Sequence, residues 1–168
     1  LINIFENKNL LYLLVLGSVP LIIVGLLIFS TGLINNLRNL EVVAWTTLIF
    51  AIILFIADKF RVRKKLNTNL NIKSILFIGL FQILSIIPGV SRSGIVITAG
   101  RFLNFDRFDS TKISFYLSIP AIAGASILTL KDLTYETINF NIVILFAIIF
   151  AFIVSYLSIK YFLIFTKK

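Results

Sequence analysis

The chain has no cysteine, no histidine and no methionine among its 168 residues, and only three prolines and seven acidic side chains. Without cysteine there is neither a disulfide framework nor a thiolate metal site. Without histidine the commonest general base and the commonest imidazole ligand are both missing. Charge is scarce too, at 14% of residues against roughly a quarter in an ordinary soluble domain. The start at Leu1 and the lack of any Met lead to the expectation that further sequence lies upstream. Residues 1–9 show neither the charged start nor the apolar core of a signal peptide.

What the chain does have is apolar surface, with 59% hydrophobic residues and seventeen Phe spread over its length. Five apolar stretches stand out: Leu10–Phe29, Leu40–Ala57, Ile75–Phe102, Ile113–Leu130 and Ile142–Phe165. A bilayer core takes about 20 residues of helix to cross. The pattern predicts an all-α integral membrane protein, a multi-spanning helical bundle forming a single membrane domain over residues 1–168. Lipid is therefore its expected surrounding. The net charge of +9 is read as Lys and Arg marking cytoplasmic loops and not as a nucleic-acid surface.

Charge placement orients this bundle. Lys59, Arg61, Arg63, Lys64, Lys65 and Lys73 crowd the loop after the second stretch, which the positive-inside rule puts in the cytoplasm. If Ile75–Phe102 enters from that side and returns to it, Arg101, Arg107 and Lys112 also fall inside as loop charges. The loops near Arg38 and Lys131–Asp132 then lie outside, and Lys167–Lys168 inside. A full crossing would scatter the basic residues over both faces. The expected organisation is thus a first helical hairpin at 10–57, a broken re-entrant segment at 75–102 and a second hairpin at 113–165.

A short repeat supports the division. Ser18-Val19-Pro20-Leu21-Ile22 recurs as Ser118-Ile119-Pro120-Ala121-Ile122, each followed closely by a glycine, Gly25 or Gly124. Each copy lies in the first helix of a hairpin, which gives the chain inverted-repeat character. Bundles built this way place their sites where paired broken helices meet.

The break itself holds the polar residues. Ile75 to Pro88 is roughly 21 Å of helix rise, which carries the turn past the midplane of a core about 30 Å thick. Irregular backbone at that depth must be enclosed by protein or line a watery cavity. Arg92 there would cost at least about 2.5–3.5 kcal/mol without a partner, and its planar fork suits phosphate or carboxylate. Gly89 and Gly94 permit tight turns, and the hydroxyls of Ser91 and Ser93 with the N–H groups of a restarting helix would form an anion cradle. The alternative is an arginine snorkelling from a helix end between two capping serines. Gln82 either points its amide into the same cavity or joins two helices. Thr98 either lines the cavity or bonds back to its own helix. Asp106 and Asp109 read as loop charges and helix-start signals before Ser110-Thr111.

The run Gly79-Leu80-Phe81-Gln82 … Ile87-Pro88-Gly89-Val90-Ser91-Arg92-Ser93-Gly94 resembles the second signature of the undecaprenyl-diphosphatase family of bacitracin-resistance type, a Pro-Gly-x-Ser-Arg-Ser-Gly run preceded by a Gln. Ser114-Phe115-Tyr116-Leu117-Ser118-Ile119-Pro120-Ala121, with Gly124-Ala125, is similar to the helix that follows it in that family. Asp58 and Lys131-Asp132 also fit, and the likeness runs from about Leu10 to the end. Val96 stands where the family usually has Thr. The family's first signature, with its paired carboxylates and a Pro-x-Ser-Ser-x-Gly-His run, normally precedes everything present here.

The resemblance implies hydrolysis of a polyprenyl diphosphate lipid to monophosphate and phosphate at the outer face of the bacterial inner membrane, which recycles the carrier for peptidoglycan synthesis. It implies catalytic roles for Arg92, Ser91 and Ser93, phosphate contacts from Gly89, Gly94, Gln82 and Thr98, and a chain that is the C-terminal two-thirds or so of the whole. A divalent cation, Mg or Ca, belongs to the family; no ligand cluster for it is evident here, so its ligands are expected in the upstream part. A homodimer is left open. The competing reading is a lipid or anion transporter or flippase of inverted-repeat type, in which Arg92 grips a headgroup without cleaving it.

Overall fold

A computed structural model of the chain describes residues 8–31, 39–62, 64–66, 70–133 and 142–167, with the side chains of 29–31 and 128–133 left aside. Arg38 and Arg63 lie outside the described residues. The described residues form six α-helices: α1 Lys8–Thr31, α2 Leu40–Asp58, α3 Ile72–Gln82, α4 Arg92–Phe102, α5 Arg107–Leu133 and α6 Ile142–Thr166. A 3-10 turn, Ile83–Ile86, extends α3. The only sheet-like feature among them is an isolated bridge between Lys64 and Phe105. The protein is an all-α membrane protein, and α1, α2 and α6 are each long and apolar enough to cross a bilayer.

Helix starts follow from short polar side chains placed just before apolar runs. Asn39 accepts from Val42 N at 2.8 Å and opens α2. Asn71 accepts from Ser74 N at 2.9 Å and opens α3. Asp106 accepts from Asp109 N at 2.6 Å at the start of α5, as the helix-start reading of that loop expects. Both repeat prolines sit inside long helices, Pro20 in α1 and Pro120 in α5. In each copy the serine two residues earlier bonds back along its helix, Ser18 to Leu14 O at 2.8 Å and Ser118 to Phe115 O at 2.6 Å.

The chain divides into two compact units, residues 1–122 and 123–168. In the first, α3 packs on α1 and on α4, and α4 packs on α2. Gly17 and Gly79 let α1 and α3 approach closely: a Cβ on Gly79 would run into the Gly17 carbonyl. A core of Leu14, Ile75, Ile78, Ile95, Val96, Ala99, Phe105, Ile113 and Leu117 fills the space between helices. Asn9 and Tyr12 of α1 line one groove with Asn71 and Ile72, and Gly17 lies against Ile75 and Gly79, so α1 and α3 run parallel. Thr46 and Thr47 meet Pro88 and Gly89, while Asp58 meets Arg101, so α2 and α4 also run parallel. The backbone of Lys64, in the α2–α3 loop, donates to Asn104 O at 3.0 Å, in the α4–α5 loop. The broken pair α3–α4 therefore leaves from and returns to the same end of this unit.

In the second unit, α6 is apolar on every face and has no buried residue. Phe146, Phe150 and Phe152 are among its exposed side chains. A helix apolar all round belongs in lipid or in the middle of a larger bundle.

Candidate active site

The break between α3 and α4 is a β-turn at Ile87-Pro88-Gly89-Val90, closed by Val90 N donating to Ile87 O at 3.1 Å. Pro at the second position and Gly89 at φ +90° are the requirements of a type II turn. A side chain at Gly89 is excluded twice over, by that φ and because its Cβ would meet Val43 O at 2.6 Å and the Thr46 hydroxyl. The turn sits about 9 Å along α2 from its Leu40 end and about 18 Å from its Asp58 end.

Ser91 then caps α4. Its backbone is extended, its Oγ accepts from Gly94 N at 3.2 Å, and its carbonyl accepts from Ile95 N at 2.9 Å. Ser93 Oγ lies 3.1 Å from Ser91 Oγ, and Ser114 Oγ of α5 donates to the Ser93 carbonyl at 3.3 Å. Gly94 faces Ser91 so closely that a Cβ would come within 3.2 Å of the Ser91 Cβ. The N–H groups of Arg92 and Ser93 have no intrahelical partner, as at any helix start. With the two hydroxyls they form a small donor-rich cluster at the positive end of α4.

Arg92 is half-buried, and among the described residues its guanidinium makes no hydrogen bond or ion pair. Gln82, at the end of α3, is fully buried, and neither Nε2 nor Oε1 has a hydrogen-bond partner among the described residues. Thr98 is buried and donates to Gly94 O at 2.8 Å. Of the two readings of Thr98, the bond back to its own helix is the one seen. The break thus brings Gly89, Ser91, Arg92, Ser93 and Gly94 together, with Gln82 buried one 3-10 segment earlier.

Arg101 differs from its expected place. The sequence pattern makes it a cytoplasmic-loop charge, but it sits in the last turn of α4 with 3% of its surface exposed. It donates to Phe105 O at 2.7 Å, Asp58 O at 2.7 Å and Phe60 O at 2.8 Å. Helix ends leave carbonyls without partners, and this side chain collects one of them, Asp58 O, together with two carbonyls from the loops that follow α2 and α4. Asp58 also accepts two hydrogen bonds from the exposed Arg107, one from Nε at 2.8 Å and one from Nη2. That contact holds the Arg107 guanidinium more firmly protonated than usual. Asp109 is tied up as well, accepting from Leu66 N at 2.8 Å.

Sequence reasoning missed Thr46 and Thr47, whose hydroxyls reach the turn from α2. Nothing local signals them, because their partners lie 42 residues away. Among the described residues no cluster of three or more Asp, Glu, His or Cys could hold a metal ion. The implied divalent cation therefore finds no ligand set among them.

The helices and this cradle define a multi-spanning membrane protein that presents, from a broken helix, a serine-capped helix start and an arginine unpaired among the described residues. Residues 4–168 match the family described as Bacitracin resistance protein BacA, and the chain belongs to that family. It is 54% identical to a protein of Pelagibacter ubique (strain HTCC1062) named undecaprenyl-diphosphatase, over 100% of this chain and 66% of that relative. It is 44% identical to one of the same name from Elusimicrobium minutum (strain Pei191), over 97% of this chain and 61% of the relative. A third of that name, from Jannaschia sp. (strain CCS1), is 38% identical over 75% of this chain and 49% of the relative. The chain spans under two thirds of the length of each of these relatives.

Proposed function

We propose that this chain supplies the phosphate-holding part of an enzyme that hydrolyses undecaprenyl diphosphate to undecaprenyl phosphate and phosphate. The observation that carries the reading is Arg92: a half-buried guanidinium without an ionic partner among the described residues, beside two serine hydroxyls and free helix N–H groups. An arginine held inside an apolar segment calls for an anion, and the relatives named above act on a lipid that carries one, by their name. No observation favours the transporter reading.

The lipid tail stays in the bilayer while the diphosphate enters at the break. Phosphoryl transfer depends chiefly on positioning and on neutralising charge over the phosphoryl oxygens. Arg92 grips those oxygens with two parallel N–H donors, and the N–H groups and hydroxyls at Ser91 and Ser93 hold the rest. Water, or Ser91 or Ser93 once deprotonated, attacks the terminal phosphorus. The bond from that phosphorus to the bridging oxygen breaks, and undecaprenyl phosphate leaves with the bridging oxygen. A seryl phosphate, if formed, is released by water. The base is drawn from the family's acidic and histidine signature, which these 168 residues lack.

The basic residues Lys59, Arg61, Lys64, Lys65 and Lys73 flank the end to which the broken pair returns, which supports a cytoplasmic position for that end and a turn nearer the periplasmic face of the inner membrane. The test is phosphate release from undecaprenyl diphosphate by the full-length gene product. Arg92→Ala should abolish it while Lys112→Ala leaves it intact; an Arg92→Ala enzyme at wild-type turnover would overturn the reading.

A further inference from the structure

The turn at Pro88–Gly89 is closed by its own Val90–Ile87 hydrogen bond, and α2 adds two hydroxyls to it. Thr46 Oγ1 donates to Pro88 O at 2.6 Å, and Thr47 Oγ1 donates to Gly89 O at 3.0 Å. These are consecutive residues of one helix reaching consecutive carbonyls of the break. A helical threonine ordinarily gives its proton to a carbonyl of the preceding turn. Thr46 has that choice, with Val42 O at 2.8 Å and Val43 O at 3.2 Å, yet its shortest contact is to Pro88.

The Pro88 carbonyl is the one that matters for conformation. Type I and type II turns differ by a flip of the central peptide, here Pro88–Gly89, and that flip turns the Pro88 carbonyl to the opposite face. A donor waiting on one face selects one turn. The same helix presses on the turn from below, where a Cβ on Gly89 would meet the Thr46 hydroxyl and Val43 O. The exit of the turn then sets where Ser91 begins α4, and so where the Arg92 and Ser93 N–H groups point. Within a span, irregular backbone must find its partners in protein or in a watery cavity, and these hydroxyls are the protein partners of both carbonyls.

We infer that Thr46 and Thr47 are positioning residues for the Ser91–Arg92–Ser93 cradle: they fix the flip and height of the turn and touch no substrate themselves. This rests on the phosphatase reading for its kinetic consequence, but the structural claim stands apart from it. Two measurements on the full-length gene product separate them.

The first is hydrogen–deuterium exchange over residues 87–95, which needs no turnover. Thr46→Val keeps the shape and removes the proton, so exchange there should quicken; Thr46→Ser should restore it. The second is steady-state phosphate release. Loss of one hydrogen bond of this kind amounts to roughly tenfold, so Thr46→Val should lower kcat about tenfold with KM little changed, Thr46→Ser should recover it, and Thr46→Val/Thr47→Val should fall further. Should Thr46→Val fail to fold, Thr47→Val, on the more exposed side of α2, carries the same comparison. Unaltered exchange in the valine variants overturns the inference, as does quickened exchange with wild-type kcat, or a kcat loss that serine does not rescue. If Arg92→Ala retains full turnover while exchange responds as described, the phosphate-holding role of the cradle fails and the turn-holding role survives.

Discussion

Arg101 and Asp58 are joined through the main chain: the guanidinium Nη2 donates to the Asp58 carbonyl at 2.7 Å, while Nε lies 3.3 Å from the Asp58 carboxylate, off hydrogen-bond geometry. The same guanidinium reaches Phe60 O and Phe105 O, so one side chain closes the end of α2 onto the loop between α4 and α5. Arg107, six residues on, pairs with the same carboxylate from the exposed side, with 66% of its side chain open.

These two arginines should separate cleanly in stability. Arg101→Ala strands the buried Phe105 carbonyl and the partly buried carbonyls of Asp58 and Phe60; a buried unsatisfied polar group costs about 1–3 kcal/mol, and the fold around α2 and α4 should loosen. Arg101→Lys should not rescue, because a single ammonium cannot span the planar fork. Arg107→Ala loses an exposed pair and should unfold much as wild type does. Chemical unfolding of the full-length gene product in detergent checks the order; equal loss for both alanine variants would show that the clasp is not where the stability lies.

Legibility divides along the same line. The helix starts at Asn39, Asn71, Ser91 and Asp106 could be anticipated from short polar residues before apolar runs, because a cap is bonded within three residues of itself. The Pro88–Gly89 break was legible for the same reason, since its φ preferences belong to the two residues themselves. Arg101 and Thr46 were not, because the partners that tie them to other elements, Asp58 O and Phe60 O for the one and Pro88 O for the other, are 41 to 43 residues distant. Composition sees a charge near a loop and a polar residue in a span; only the packing shows which carbonyls they reach. Thr98 was ambiguous in sequence for a related reason, since a hydroxyl one turn after Gly94 has both an inward and a backward option.

The contact of α1 with α3 predicts an asymmetry between two glycines. A Cβ on Gly79 would strike the Gly17 carbonyl and come within 3.1 Å of its carbon, all backbone that cannot turn aside. A Cβ on Gly17 would instead press first on Ile75 Cγ1 at 2.7 Å, a side-chain atom, with the nearest backbone atom, Ile75 O, at 3.3 Å. Gly79→Ala should therefore destabilise by about 1–3 kcal/mol, in the range of overpacked cores, and Gly17→Ala by less. Unfolding midpoints in one detergent decide it, and the reverse order would mean the helices do not meet at these residues.

Arg92 invites the test of shape against charge. Arg92→Lys keeps the positive charge and loses the bidentate fork. Removal of one donor to a developing oxyanion typically lowers turnover about 10²–10³-fold, and a fall of that order is expected for Arg92→Lys, with a larger one for Arg92→Ala. Thermal stability should hold in both, since among the described residues no protein partner is left behind. Steady-state phosphate release, paired with a melting curve, is the measurement. An Arg92→Lys enzyme that keeps wild-type turnover would remove the fork from the mechanism.

Gln82 sets activity against stability within one side chain. Its amide is fully buried, and both polar atoms lack hydrogen-bond partners among the described residues. Left that way it disfavours the fold by about 1–3 kcal/mol, and a leucine of similar volume would carry no such penalty. If the amide is kept to meet a phosphate oxygen or the water around it, Gln82→Leu should raise the melting temperature and lower phosphate release together. Gln82→Glu should lower release further, because a carboxylate would repel the diphosphate. A leucine variant with full turnover would take Gln82 out of the site. One that melts earlier than wild type would show that the amide is bonded in the folded protein and serves the packing of α3 instead.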